Sequence, residues 1–167
     1  MIPSYANFGG KIHGGIIMSL MDKIAYVCAA KHAGGYCVTA SVDVIDFMAP
    51  VEVGELVSLH ASVNYVGSTS MVIGIRVESQ QPRSGLIKHT NTSYFTMVAM
   101  DDDMKPLQVP GLLLRNHEEV RRFYEAFHRK ELKKYYRKEE SRVKSTFEIK
   151  QTIELIQHER CKLDLED

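Results

Sequence analysis

The stretch "ANFGGKIHGGIIMSLMD", residues 6–22, sets Asn7, His13 and Asp22 among Gly9, Gly10, Gly14 and Gly15, at the start of an apolar run. Each glycine inside a helix gives up about 1 kcal/mol relative to alanine, so a segment that only filled a core would not hold this many. Glycine removes the Cβ that keeps other groups away from the backbone. The first N–H groups of a helix are unpaired and lie at the positive end of its macrodipole, where they polarise a carbonyl oxygen and hold the oxyanion it becomes. Gly14 and Gly15 fit that task. Asp22 borders the apolar helix face, where desolvation strengthens a carboxylate as a base. It can take a proton from water or attack a carbonyl carbon directly, and residue types do not separate these routes.

Plainer roles compete at each position. Asp22 also fits a solvated helix flank, and Asn7 a turn or cap. His13 is read as packing or hydrogen-bonding near the helix start, with general-base work as its alternative. No His/Cys/Asp cluster has metal-ligand spacing, so no metal is expected. Gly14 and Asp22 stand eight residues apart, about 12 Å along a helix. They cannot both touch one carbon from the same helix, whereas two antiparallel helices in a dimer can bring them together.

The elements that must position these residues follow from periodicity. Ile17, Leu20, Met21, Ile24, Val27 and Cys28 recur at helical spacing, and Gly34-Gly35 supply a stop. Four β-rich runs follow: "YCVTASVDVIDF", "ELVSLHASVNYV", "SMVIGIRVES" and "LIKHTNTSYFTMVAM". The connections "APVEVG", "VGST" and "QQPRSG" each contain Gly or Pro and suit antiparallel hairpins. One helix against four antiparallel strands covers one face of a sheet, and a dimer that extends the sheet or packs helix on helix would cover more.

These residues resemble the acyl-CoA thioesterases of the hotdog fold. The family's Asn-x-x-Gly-x-x-x-Gly-Gly pattern, with an Asp seven residues on, is matched by Asn7, Gly10, Gly14, Gly15 and Asp22. The resemblance runs on through "VTASVDVIDFMAPVEVGELV", "VNYVGSTSM" and "SYFTMVAMD", covering about residues 3–112. The family's short first strand lies ahead of the Pro-x-x-x-Asn segment, a place where this sequence has only Met1-Ile2.

The resemblance implies an α+β hotdog fold, an antiparallel curved sheet wrapped around one long helix. It implies hydrolysis of acyl-CoA thioesters by Asp22, with Asn7 and Gly14 contributed by the opposite protomer. It implies no added cofactor, CoA being part of the substrate. It also implies a homodimer as minimum unit, grouped into hexamers as a trimer of dimers. The turn Gly67-Ser68-Thr69-Ser70 falls where the family's CoA runs, and Arg83 and Lys88 are further candidates for CoA phosphates. A non-catalytic acyl-CoA binding module is the alternative function, and a hotdog dehydratase a weaker one.

Global composition agrees with a single body plus an extension. The 167 residues carry a formal net charge of zero, which gives no reason to expect nucleic acid or a membrane as partner. Cys28, Cys37 and Cys161 read as reduced thiols, and no apolar run is long enough to span a bilayer. The start shows no basic region followed by an apolar one, so a cytoplasmic location is expected. Residues 1–114 hold seven Lys/Arg and nine Asp/Glu, whereas residues 115–167 hold fourteen and twelve. A body at 1–114 and a charged helical extension at 115–167 follow, with "KPLQVPGLL" as connection. The extension places acids early and bases late, as a helix dipole favours. Its apolar positions suit docking on the body or a neighbouring subunit; a basic helix that guides CoA or binds another macromolecule is the other reading.

Overall fold

The computed structural model describes residues 1–165. After a short 3-10 turn at Pro3–Tyr5, helix α1 (Gly14–Ala33) leads into strands β1 (Cys37–Val42), β2 (Leu56–Val66), β3 (Ser70–Gln80) and β4 (Ile87–Ala99). Helices α2 (His117–Ser145) and α3 (Ile149–Ile156) follow. The strands form one antiparallel sheet in the order β1-β4-β3-β2, and α1 packs on all four. This is the hotdog arrangement expected from the sequence.

Local chemistry sets the ends of α1. The His13 ring caps its start by accepting the Gly15 N–H at 2.9 Å. Gly34 ends it in the left-handed region at φ 74°, its N–H donating to Ala30 O, the helix stop that glycine adopts without a Cβ penalty. The buried row is Ile17, Met21, Ala25 and Ala29. It lies against Met71, Ile73, Ile75 and Val77 of β3 and Phe95 and Met97 of β4 in the main core. Val27, which the apolar spacing assigns to the core, is 54% exposed. Two small alanines replace it because they let α1 sit close to the sheet.

β1 is shorter than its sequence run. Alternation continues to Val44 and the β-rich run to Phe47, yet the ladder stops at Val42 after a register shift between Thr39 and Ser41. Beyond it the chain stays beside β4 on irregular bonds: Asp43 N–H to Tyr94 O, Met48 N–H to Thr90 O, Ser93 Oγ–H to Asp43 O and Asn91 Nδ2–H to Asp46 O. Buried polar side chains of β4 thus satisfy carbonyls that a regular ladder would have paired.

The chain divides into two compact units, one of residues 1–126 and one beginning at Phe127. The division lies inside α2, beyond the compositional break near residue 115. The first turns of α2 belong to the body: the Phe123 ring is 5.1 Å from that of Tyr65, Arg122 Nη1 donates to Ser62 Oγ at 3.4 Å, and Ala126 is buried. In the second unit the rest of α2 carries surface ion pairs such as Lys134–Glu131 and Arg142–Glu139, worth little each in water.

Candidate active site

Asp22 sits one residue past buried Met21, about 100° round α1, and faces the edge strand β1. There the Thr39 hydroxyl donates to its Oδ1 at 2.7 Å. Thr39 Oγ1 also lies 3.4 Å from Met97 Sδ, but one hydroxyl has one proton, and the charged oxygen is the stronger acceptor. The carboxylate is thereby oriented, with Oδ2 left for another partner. The desolvation expected for Asp22 is not found in the protomer, where it is exposed. The core row of α1 passes beside it rather than through it. Thr39 was missed in the sequence because a threonine in an alternating strand looks like any outward-facing residue. Only the α1–β1 register, 17 residues of separation folded back, gives it a partner.

Around this pair lies an open cavity of about 650 Å³ between α1 and β1, with Tyr26, Val27, Tyr36 and Val38 on its walls. Tyr26, Val27, Tyr36, Cys37 and Val38 supply its apolar and aromatic surface, and Asp22, Lys23 and Thr39 its charged and hydroxyl groups.

Asn7 builds a tight loop. Its Oδ1 accepts the Gly9 and Lys11 N–H groups at 2.9 and 3.1 Å, its N–H donates to Lys11 O, and Gly10 N–H donates to Asn7 O. Two amide donors on Oδ1 fix the orientation of the side chain and leave its NH2 as the outward group. Asn7 is therefore presented as a donor, suited to a carbonyl oxygen.

Gly14 and Gly15 each have a second reason to lack a side chain. A Cβ on Gly14 would lie 3.1 Å from Phe47 Cζ, and one on Gly15 would lie 3.0 Å from the His13 ring. The Gly15 N–H is taken by His13, one of the two plain roles read for that residue near the helix start. The Gly14 N–H has no hydrogen bond among the described residues, so it is the donor best placed to serve a ligand. Gly14 opens the helix and Asp22 stands two turns further on, about 12 Å away. A single protomer does not bring them together.

Nor does it bring together the remaining candidates. Gly67 N–H donates to Ser70 O at 2.7 Å, and the Ser68 and Thr69 carbonyls accept from Val109 and Ala99, so the β2–β3 turn is firmly held. The row Thr39–Met97–Met71 across the sheet sets that turn roughly 10 Å from Thr39 at the usual strand spacing. Arg83 lies in the turn beyond the far end of β3, roughly 33 Å away at 3.3 Å per residue, and Lys88 on β4 pairs with Ser79 just short of that end. Lys88 is already engaged: its Nζ is 2.9 Å from Glu55 Oε1, whose other oxygen accepts the Glu52 N–H. Burial pushes the Glu55 carboxyl up, but the Glu52 N–H and the Lys88 ammonium outweigh it and hold it below the usual glutamate range. Arg83 is exposed.

A helix opening on glycines over a four-stranded antiparallel sheet, with an Asp at its flank, is the hotdog arrangement. Residues 9–86 match the thioesterase superfamily. The chain is 42% identical over 133 residues to protein VdlD of Helicobacter pylori, covering 80% of this chain and 76% of that protein. A crystal structure of an apo hexameric acyl-CoA thioesterase superposes with TM-score 0.79 at 38% identity, covering 81% and 87% of the two chains. An acyl-CoA hydrolase from Staphylococcus aureus, solved with butyryl-CoA, CoA and CoA disulfide, superposes with TM-score 0.78 at 32% identity over 87% and 88%. That enzyme has also been solved as three variants, in which an asparagine, an aspartate and a threonine are each replaced by alanine. The chain belongs to the thioesterase superfamily, among its acyl-CoA thioester hydrolases. It is therefore an enzyme, and the non-catalytic binding module is set aside.

Proposed function

We propose that this enzyme hydrolyses acyl-CoA thioesters at a site shared between two protomers, with Asp22 as base or nucleophile. The observation that carries the reading is Asp22 held by Thr39 on the lining of a largely apolar and aromatic cavity. The S. aureus variants support it by arithmetic: their asparagine, aspartate and threonine are separated by 15 and 17 residues, as Asn7 to Asp22 is 15 and Asp22 to Thr39 is 17.

In the proposed reaction the thioester oxygen lies between the Gly14 N–H and the Asn7 NH2 of one protomer. These donors polarise the carbonyl and hold the oxyanion. The partner's Asp22, oriented by its own Thr39, removes a proton from water as the water oxygen attacks the carbonyl carbon. The tetrahedral centre collapses, the C–S bond breaks, and the thiolate of CoA takes up a proton. If Asp22 attacks instead, an anhydride forms and water cleaves it. No cofactor enters either route.

The antiparallel pairing that brings Gly14 beside the partner's Asp22 reverses the direction of the second sheet. It carries the partner's β2–β3 turn toward the end of the sheet where Arg83 lies. Gly67, Ser68, Thr69 and Ser70 of one chain and Arg83 of the other are then the proposed CoA contacts, Lys88 serving mainly to hold Glu55. Three such dimers make the proposed hexamer. A cytoplasmic setting fits three unpaired cysteines; among the described residues no helix is long and apolar enough to cross a membrane.

The test is Asp22→Asn in a thiol-release assay on acyl-CoA esters. Hydrolysis should fall by at least about 100-fold in a folded oligomer; wild-type turnover would remove Asp22 from the mechanism.

A further inference from the structure

Two cross-links join α1 to β1 on the exposed side of the helix. One is polar, Thr39 to Asp22. The other is aromatic: the rings of Tyr26 and Tyr36 stand 6.1 Å apart and tilted by 59°. The chain reverses at Gly34-Gly35, so β1 runs back along α1. Tyr36 therefore meets Tyr26 further along the helix, and Thr39 meets Asp22 nearer its start. The cavity lies between these two links, with Val27 and Val38 on its walls.

We propose that the Tyr26–Tyr36 pair is the far wall of the acyl subsite and sets the longest acyl chain the enzyme handles well. This rests on Asp22 being the group that acts on the thioester. Asp22 to Tyr26 is one helical turn, about 6 Å, and Thr39 to Tyr36 is three strand residues, about 10 Å. An extended chain advances about 1.2 Å per bond, so the space from carbonyl carbon to wall takes roughly five to eight carbons. Tyr26, Val27, Tyr36, Cys37 and Val38 make most of the lining apolar or aromatic, with Lys23 its cationic member, which favours a saturated alkyl chain over a polar acyl group. Tyr26 and Tyr36 are 40% and 50% exposed in the protomer, so neither is fixed by deep burial, and truncating one opens the groove without opening the main core.

The experiment is a series of straight-chain acyl-CoA esters from two to sixteen carbons, with kcat/KM read by thiol release for wild type, Tyr36→Ala and Tyr26→Ala. Tyr36→Leu and Tyr26→Leu are made as milder variants in case an alanine form fails to assemble. A methylene in an apolar pocket is worth about tenfold or more in discrimination. Wild type should climb to about eight carbons and then decline. In the variants, kcat/KM for esters of twelve carbons and more should rise at least about tenfold relative to butyryl-CoA. Profiles that keep the wild-type shape in every folded variant, or fall equally at all lengths, overturn the wall. The Asp22→Asn enzyme is run in parallel. If it hydrolyses all esters normally, the assignment of Asp22 has failed; if it is dead and the tyrosine variants keep the wild-type profile, only the wall has failed.

Discussion

Thr39 on the edge strand donates its hydroxyl proton to Asp22 on the helix at 2.7 Å, fixing one carboxylate oxygen and leaving the other open. A hydrogen bond to a charged acceptor is worth about 1.5–3 kcal/mol. If that bond orients Asp22 for attack, its loss appears in the chemical step.

Thr39→Val keeps the shape and removes the donor. It should lower kcat by about tenfold or more with KM for acyl-CoA little changed, and Thr39→Ser should recover most of the loss. Steady-state thiol release over a range of substrate concentrations separates the two constants. A normal kcat in Thr39→Val would reduce the hydroxyl to packing.

The route taken by Asp22 is open to isotopes. In a single turnover with excess enzyme in 18O water, the general-base route puts label into the released acid and none into Asp22. Attack by Asp22, followed by water at the aspartyl carbonyl of the anhydride, leaves 18O in the Asp22 side chain. Mass spectrometry of the peptide that carries Asp22 reads the difference. An unlabelled peptide together with labelled acid is the result expected for the base, because Thr39 holds the carboxylate at the side of the cavity and leaves room for water.

Acid stability should reflect Glu55. Its carboxyl is held below the usual range, so its contribution to stability is complete above that range and is lost as pH falls through it toward the depressed value. Glu55→Gln should therefore melt below wild type at pH 7, and the gap should shrink as pH is lowered from 5 to 3. Lys88→Met should cost about 1–3 kcal/mol at pH 7 by leaving the buried carboxylate short of a partner. A gap that stays constant through the acid range would show that Glu55 carries no titrating stability.

The catalytic part is proposed to be the unit of residues 1–126. A chain ended after Leu114 loses the Phe123–Tyr65 ring contact and the buried Ala126. A chain ended after Ala126 keeps both. The longer form should melt at least about 3 °C higher, and both should keep the full-length preference among acyl lengths, checked by the same ester series. A wholesale change of preference would mean that the removed residues line the acyl site.

Much of this was legible because it is local. The Gly-Gly start and stop of α1 and the β-rich runs depend on neighbours within a few residues, and all of them formed, the first of the strands shorter than its run. What escaped depends on residues brought from afar. β1 ends at Val42 because Asn91 and Ser93, some fifty residues on, take carbonyls of the segment after it. Ala25 and Ala29 are core residues with too little apolar area to mark a face, while Val27 beside them stands exposed. Lys88 looked free for phosphate until Glu55 was found against it. The glycines at 14 and 15 read as ligand access, yet in the protomer a Cβ at either would also crowd the rings of Phe47 and His13. Thr39 carried no mark at all.

The shared site makes a quantitative demand on mixed oligomers. Gly14 opens α1 and Asp22 lies eight residues along it, so the proposed site takes Asn7 and Gly14 from one chain and Asp22 from the other. Asn7→Ala and Asp22→Ala should each be nearly inactive alone. In a mixed dimer, one site combines Asn7→Ala with Asp22→Ala and is dead. The other takes its intact Asn7 from the Asp22→Ala chain and its intact Asp22 from the Asn7→Ala chain. With equal amounts and random pairing, half of the dimers are mixed and half of their sites are intact, so activity should return to about a quarter of wild type, given a two-fold interface. Exchange is followed independently with tagged subunits on a native gel or by native mass spectrometry. If mixed dimers form and activity remains that of the dead parents, Asn7 and Asp22 act within one chain and the shared site is wrong.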